Sequence, residues 1–326
     1  MDASIYFSVI MPVFNSKAIL KRAVFSIENQ SFSNYELIVI DDGSTDGSGD
    51  LCDVFAANNE RIRVVHQPNR GQSFARLKGL ELAKGDYVLF LDSDDYYETN
   101  ALELLAKELA NNPVDVVLFN AVKRTATDST ELYSLGGKSC LNTKTQILTE
   151  CFSTRVSGYF WTYCFKRELF ELDESVLKRF AEIKYSEDFY LIYQMLSKNA
   201  ESLLVLPTPL YNYVIRDESI THNQTAEKVK DRFDVFNGVY SSLYEDFQMV
   251  PNHSVRVVVG WTYLSYLTRA AKEYECSAFI ESCKAIRKSF IYKKMSNFKK
   301  DGFSLLIHWL FKLRMYKMAF IAIRKR

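Results

Sequence analysis

Asp86-Tyr87-Val88-Leu89-Phe90-Leu91-Asp92-Ser93-Asp94-Asp95 is the stretch on which the reading of this chain turns. Residues 87–91 are an apolar run with neither Gly nor Pro, the pattern of a strand buried on both faces. Three carboxylates crowd the four residues that follow, and they repel one another unless positive charge sits among them. At the C-terminal edge of an α/β sheet, where ligands bind, a divalent cation carrying a phosphorylated ligand meets that need.

Working outward, apolar segments at 6–13, 35–40, 61–66, 87–91 and 114–119 predict strands. Helical patterns at 17–29, 48–58, 72–83 and 100–111 alternate with them. That alternation predicts an α/β fold: a mostly parallel, doubly wound, Rossmann-like sheet with helices on both faces. Beyond residue 120 the pattern loosens. Residues 125–138 are polar and turn-rich, 143–152 and 186–197 read as helices, and 203–215 read as two short strands broken by Pro207 and Pro209. From residue 226 the chain is mainly helical.

At 326 residues, 48% hydrophobic and 25% charged, the composition is that of a folded protein with a sizeable core. The net charge of +1 conceals an asymmetry. Residues 284–326 hold 13 Lys and Arg against one acid, Asp301, which leaves the first 283 residues at −11. An acidic body with a basic tail does not predict a nucleic-acid partner. Six cysteines without C-x-x-C spacing read as reduced and structural. The N-terminus lacks a basic region ahead of its apolar stretch, so it does not read as a signal peptide. The uncharged run 302–311 is about half of what a spanning helix needs.

A second acidic loop, Asp41-Asp42-Gly43-Ser44-Thr45-Asp46-Gly47-Ser48, follows the second strand. Its composition fits an EF-hand loop, but a strand precedes it and position 12 is Asp53 rather than Glu. The better reading is a turn delivering carboxylates to the sheet edge, with Ser44 or Asp46 capping the next helix. The first strand's exit, Pro12-Val13-Phe14-Asn15, adds an aromatic face and an amide. Together these predict a pocket in which Asp42, Asp92 and Asp94 converge around one cation. Neither a G-x-x-x-x-G-K-[ST] nor a G-x-G-x-x-G loop is present to cradle phosphates, so a metal is expected to hold them.

The segments 8–15, 36–46, 69–76 and 85–95, in that order, resemble the family 2 glycosyltransferases of GT-A fold. The resemblance implies an inverting transferase that uses a nucleotide sugar, most often UDP-linked, with Mn2+ or Mg2+. By position it implies that Pro12, Phe14, Asn15 and Asp42 contact the nucleoside, and that Asp92, Ser93 and Asp94 serve the ribose and the metal-bound diphosphate. Arg76 would join the nucleotide-sugar contacts, although the chain has Leu77 where family members usually have Asn. The expected division is a catalytic domain at 1–224 (nucleotide-sugar half 1–120, acceptor half 121–224) and a helical region at 225–326.

Tyr185-Ser186-Glu187-Asp188 resembles the family's Glu-Asp segment at a helix start, which implies Asp188 as the base with Glu187 beside it. The other reading is that these acids only complement the helix dipole. Trp161 either stacks on an acceptor sugar or fills the core. His222 either ligates the metal or faces solvent. In the tail, Phe303, Leu306, Ile307, Leu310 and Leu313 sort away from Lys312, Arg314 and Lys317, a basic amphipathic pattern that predicts docking on an anionic membrane. The expected partners are a nucleotide-sugar donor and a glycan or glycolipid acceptor, the latter a lipid-linked polysaccharide intermediate. The expected location is cytoplasmic, peripheral at the inner face of the membrane. Two rivals are a sugar nucleotidyltransferase, for which 15–18 lacks a Gly-rich basic loop, and a catalytically silent binding protein of the same fold.

Overall fold

The computed structural model describes residues 5–154, 158–216, 225–295, 308 and 310–324. They divide into two compact units. One comprises residues 1–147, 159–181 and 194–219, the other 148–158, 182–193 and 220–326.

The first unit is built on one sheet. Its strands are β1 (Phe7–Val13), β2 (Tyr35–Asp41), β3 (Ile62–His66), β4 (Tyr87–Phe90), β5 (Tyr96–Tyr97), β6 (Val116–Arg124), β7 (Ser129–Glu131), β8 (Ser139–Leu141), β9 (Tyr163–Lys166) and β10 (Leu203–Val214). The path runs β3-β2-β1-β4-β9-β6-β10-β5, with β7 on β6 and β8 on β10. Strands β1 to β4 pair in parallel. Strand β9 is antiparallel to both β4 and β6, and β6 is parallel to β10. The C-terminal ends of β1, β2, β3, β4, β6 and β10 therefore open on one edge.

Burial explains the parallel half. Every residue of β1, β2 and β4 is buried, the polar Ser8, Glu36 and Asp41 included, so the apolar runs of these strands lie inside on both faces. Pro12 lies within β1 without disrupting it, because the pairing with β4 ends at Ile10↔Phe90 and leaves no ladder bond to lose on that side. The helices α1 (Leu20–Glu28), α2 (Ser48–Asn58), α3 (Gln72–Leu82), α4 (Ala101–Asn111), α5 (Lys144–Leu148) and α6 (Glu174–Glu182) return the chain between strands. Residues 203–215 correct the expectation of two strands. They form one strand, β10, whose register shifts at Pro209 let it absorb both prolines.

Helix α7 (Glu187–Lys198) carries the chain across the division between units. The second unit is helical: α8 (Ala226–Phe247), α9 (His253–Glu273), α10 (Cys276–Lys288), α11 (Phe290–Met295) and α12 (Tyr316–Arg324). Its tail packs inward. Leu310 and Phe311 are buried, the Phe311 ring meets Tyr263 and Tyr292, and Arg287 donates to the Phe311 and Lys312 carbonyls. Ala319 and Ile323 of α12 are also buried. Part of the apolar stripe expected to meet a membrane is thus used within the unit. Leu313, Met318 and Ile321 stay exposed, and 303–307 lie outside the described residues.

Candidate active site

The acidic turn at the end of β4 is held from several directions. The Leu91 amide donates to the Ile10 carbonyl, and the Asp95 amide to the Asp92 carbonyl, closing the turn over 92–95. Tyr211 of β10 locks it: its hydroxyl donates to Asp95 Oδ2 at 2.9 Å and accepts from the Asp92 amide at 3.2 Å. Asp95 Oδ1 takes the Val214 amide at 2.8 Å. Burial, and then the charges of Asp92 and Asp94, push the Asp95 carboxyl well above the ordinary range.

Asp92 and Asp94 point elsewhere, and each meets a guanidinium. Asp92 Oδ1 accepts from Gln72 Nε2 at 3.0 Å and from Arg76 Nη2 at 3.1 Å. Arg76 is 2% exposed, its guanidinium 5.4 Å from the Phe160 ring. Arg76, which the resemblance places among the nucleotide-sugar contacts, sits inside α3 and orients Asp92. Asp94 pairs with Arg216, just past β10, and its main-chain oxygen accepts from Arg22 at 2.6 Å. Ser93 Oγ lies 2.8 Å from Ser16 Oγ, tying the turn to the exit of β1.

At that exit Phe14 is 48% exposed, whereas Pro12 is buried inside the strand. Asn15 takes φ 46°, and its two local bonds hold it there. Its amide donates to Ser44 Oγ at 3.0 Å, and its Oδ1 accepts the Thr45 amide at 2.9 Å. Asp46 accepts from the Ser48 amide at the start of α2, but the N-cap position itself is taken by Gly47 (φ 86°), not by Ser44 or Asp46 as expected.

Asp42 departs from the predicted convergence. It is buried, and both its oxygens are engaged by the next loop: Oδ1 accepts from Gln67 Nε2 and the Arg70 amide, Oδ2 from the Gly71 amide at 2.8 Å. Its backbone neighbours fix this arrangement, for a Cβ on Gly43 (φ 76°) would lie 2.8 Å from the Asn69 nitrogen. Asp42 therefore builds the wall of the site and does not share a cation with Asp92 and Asp94. Among the described residues no three His, Cys, Asp or Glu side chains are grouped to hold a metal. His222 lies outside the described residues. Asp92 and Asp94, two carboxylates on one turn, offer hard oxygen donors of the kind Mn2+ or Mg2+ takes, although each is paired with a guanidinium that such an ion would have to compete with.

The bond network beside Asp42 carries a pH dependence. His66 at the end of β3 bridges Asp41 (2.8 Å) and Asp53 (3.0 Å), and these bonds, Asp41 first, raise the imidazole above its usual value. Burial pushes Asp41 up, but the bonds from His66 and Ser44 outweigh it and hold the carboxyl low. Protonated His66 hence stabilises the fold below about pH 6.5, its unfolded value, and the contribution disappears as pH rises through the elevated folded value. In urea titrations, stability is expected to fall by up to about 1 kcal/mol between pH 6 and pH 9, the scale of a half-exposed pair. His66→Gln should flatten that slope; an equal slope in the variant would show that another group is responsible.

In the second unit, Ser186 adopts φ 69° immediately before α7, and its carbonyl accepts the Tyr190 amide. Arg232 of α8 donates to Tyr185 Oη at 2.6 Å and stacks over its ring. Phe189 packs on Phe152, Phe236 and Tyr240. These contacts fix the first turn of α7, where Glu187 is half-buried and Asp188 buried.

Trp161 is a correction. It is 4% exposed and stacked against Tyr159, Tyr211 and Tyr213, at centroid distances of 4.9, 4.8 and 5.3 Å. Its ring is covered by these tyrosines, and the exposed ring of the stack is Tyr159. Sequence reasoning also missed Tyr211 and Gln72.

A family model for Glycosyl transferase family 2 matches residues 8–167. The chain is 30% identical over 231 residues to the glycosyltransferase GlyG of Streptococcus pneumoniae, covering 67% of this chain and 73% of GlyG. TarS (1–349) of S. aureus, in complex with UDP-GlcNAc, aligns at TM-score 0.63 and 19% identity, over 98% of this chain and 90% of that one. The mannosyltransferase PcManGT of Pyrobaculum calidifontis, in complex with GDP-Man and Mn2+, aligns at TM-score 0.52 and 15% identity, over 99% and 88%. The chain also matches two Bacillus subtilis glycosyltransferases, spanning 62% of the length of each. This chain belongs to glycosyl transferase family 2, and its fold is of GT-A type.

Proposed function

We propose that the chain moves one sugar, hexosyl or N-acetylhexosaminyl, from a UDP-linked donor to a hydroxyl of a glycan or glycolipid acceptor, with inversion. The acceptor in this reading is a lipid-linked intermediate of a surface polysaccharide. The observation that carries the reading is the Asp92–Asp94 turn on the shared edge of the parallel strands, with exposed Phe14 and the Asn15-stitched loop next to it. The bound UDP-GlcNAc of TarS and the GDP-Man with Mn2+ of PcManGT, on the same fold, support it.

In this reading the Phe14 ring offers a face to the uracil, while Asn15 and the 69–71 loop braced by Asp42 shape its edge. Asp92 and Asp94 would hold Mn2+ or Mg2+, and the ion when bound would offset charge on the departing diphosphate, worth several kcal/mol. Arg76 and Gln72 keep Asp92 in one rotamer, so little reorganisation is left for the reaction itself. Asp188 would take the proton of the attacking hydroxyl, which adds roughly 10²–10⁴-fold, with Glu187 beside it.

A hydrolysis screen over several UDP-sugars with Mn2+ tests the reading. One donor is expected to release UDP slowly, and EDTA should stop the release. Absence of both hydrolysis and UDP binding with every donor would refute it.

No helix among the described residues is long and apolar enough to cross a membrane. We propose peripheral attachment at the cytoplasmic face of an anionic bilayer through exposed Leu313, Met318 and Ile321, flanked by Arg314 and Lys317. Met318→Glu with Ile321→Glu should cut co-sedimentation with phosphatidylglycerol vesicles severalfold. Equal sedimentation would place any membrane contact elsewhere.

A further inference from the structure

On the same sheet edge, a cleft of about 600 Å³ is walled by Lys21, Arg22, Tyr96, Arg124, Val214 and Arg216. Its whole lining contains four cations and no acid. Tyr96 lies between two of them, with the Arg22 and Arg124 guanidiniums 5.1 and 6.0 Å from its ring. Two of the four are balanced from outside the cleft, Arg216 by Asp94 and Arg124 by Glu98 at 3.7 Å. Lys21 and Arg22 are exposed and have no carboxylate partner among the described residues. Arg216 Nε is buried without a hydrogen-bond partner among them.

Cations gathered in this way repel one another, more strongly in a cleft than in open water, unless an anion joins them. The volume suits a small ligand group. Position in the sheet says which ligand. The cleft is framed on one side by residues 18–22, which follow β1, and on the other by β5 and the ends of β6 and β10, which lie past β9 in the sheet. Arg22 and Arg216 reach from the cleft to Asp94, so an anion here would lie against the acidic turn.

We infer that the cleft binds a phosphate ester carried by the acceptor. The inference rests on the glycosyl-transfer reading above and narrows its acceptor to one that brings its own phosphate. The apolar wall of Ala18, Ile19, Val214 and Ile215 accommodates the first carbons beyond that phosphate. Such a phosphate has two sources, an isoprenoid lipid or a polyol-phosphate polymer.

The test uses the full chain saturated with UDP and Mn2+, titrated calorimetrically with geranyl phosphate in one arm and glycerophosphoglycerol in the other. At least one is expected to bind with 1:1 stoichiometry, more weakly at high salt. Lys21→Glu should weaken that binding at least tenfold while leaving UDP affinity and donor hydrolysis unchanged, and Arg124→Ala should act in the same direction. The arm that binds identifies the source. Binding of neither ester, or equal binding by both variants, would overturn the inference, as would a Lys21→Glu loss shared equally by UDP. Failure of UDP itself to bind wild type would instead overturn the donor-site reading, and both esters titrated without UDP keep the two failures apart.

Discussion

Asp94→Ala is expected to abolish the metal-dependent part of UDP binding. Calorimetry with Mn2+ should give the affinity that wild type shows without metal, a loss on the order of 100-fold for an interaction of several kcal/mol. The physical reason is that Asp94 is the carboxylate of the turn with greatest freedom to serve a cation. Asp95 is consumed by Tyr211 and Val214, Asp42 by the 70–71 amides, and Asp92 is shared with Arg76 and Gln72. The variant should fold, because the Asp94–Arg216 pair is about one-third exposed and such pairs contribute about 1 kcal/mol at most. Arg216→Met supplies the opposite control. With its fixed cation gone, Asp94 should bind Mn2+ more tightly, so metal affinity rises where Asp94→Ala lowers it. Mn2+-dependent UDP binding unchanged in Asp94→Ala would refute the assignment of the turn to the metal.

What the sequence made legible follows from how local each feature is. Strands β1 to β4 and helices α1 to α4 were readable because their signal lies in contiguous residues: the parallel strands are mainly apolar runs, and helical patterns alternate with them. Strand β9, four residues long, and β5, two residues long, carry too short a pattern to read, and β9 is the strand that joins the two parallel halves of the sheet. The same limit governs the site. Asp92 and Asp94 were visible as an acidic turn, but what each does depends on residues far away in the chain. Tyr211 meets Asp92 and Asp95 across more than a hundred residues, and no periodicity announces that. Asp42 shows the converse. Its place at the sheet edge was readable, yet the backbone amides of residues 70 and 71 compete for its oxygens, and amides have no sequence signature. Trp161 failed for a related reason: an aromatic before a short strand can face a ligand or the core, and three tyrosines, two of them from β10, settled it for the core.

Asp188→Asn is expected to lower turnover by a factor on the order of 10²–10⁴ while leaving UDP affinity as in wild type. Asparagine keeps the shape and hydrogen-bonding reach of the side chain but cannot accept the proton of an attacking hydroxyl at neutral pH. Such a proton must go somewhere as the bond to the sugar forms, and a base held in one orientation takes it without reorganising. The first turn of α7 provides that rigidity, with Ser186 in a left-handed conformation before it, Tyr185 clasped by Arg232, and Phe189 locked among Phe152, Phe236 and Tyr240. The competing account, in which the acid only complements the helix N-terminus, predicts something different and smaller. It gives a stability loss of roughly 0.3–1 kcal/mol in denaturant titrations with turnover close to wild type. Glu187→Gln separates the neighbours, since an auxiliary acid should cost less than tenfold where the base costs hundreds. Asp188→Asn with near wild-type turnover and only the helix-end stability loss would move the search for the base to another carboxylate.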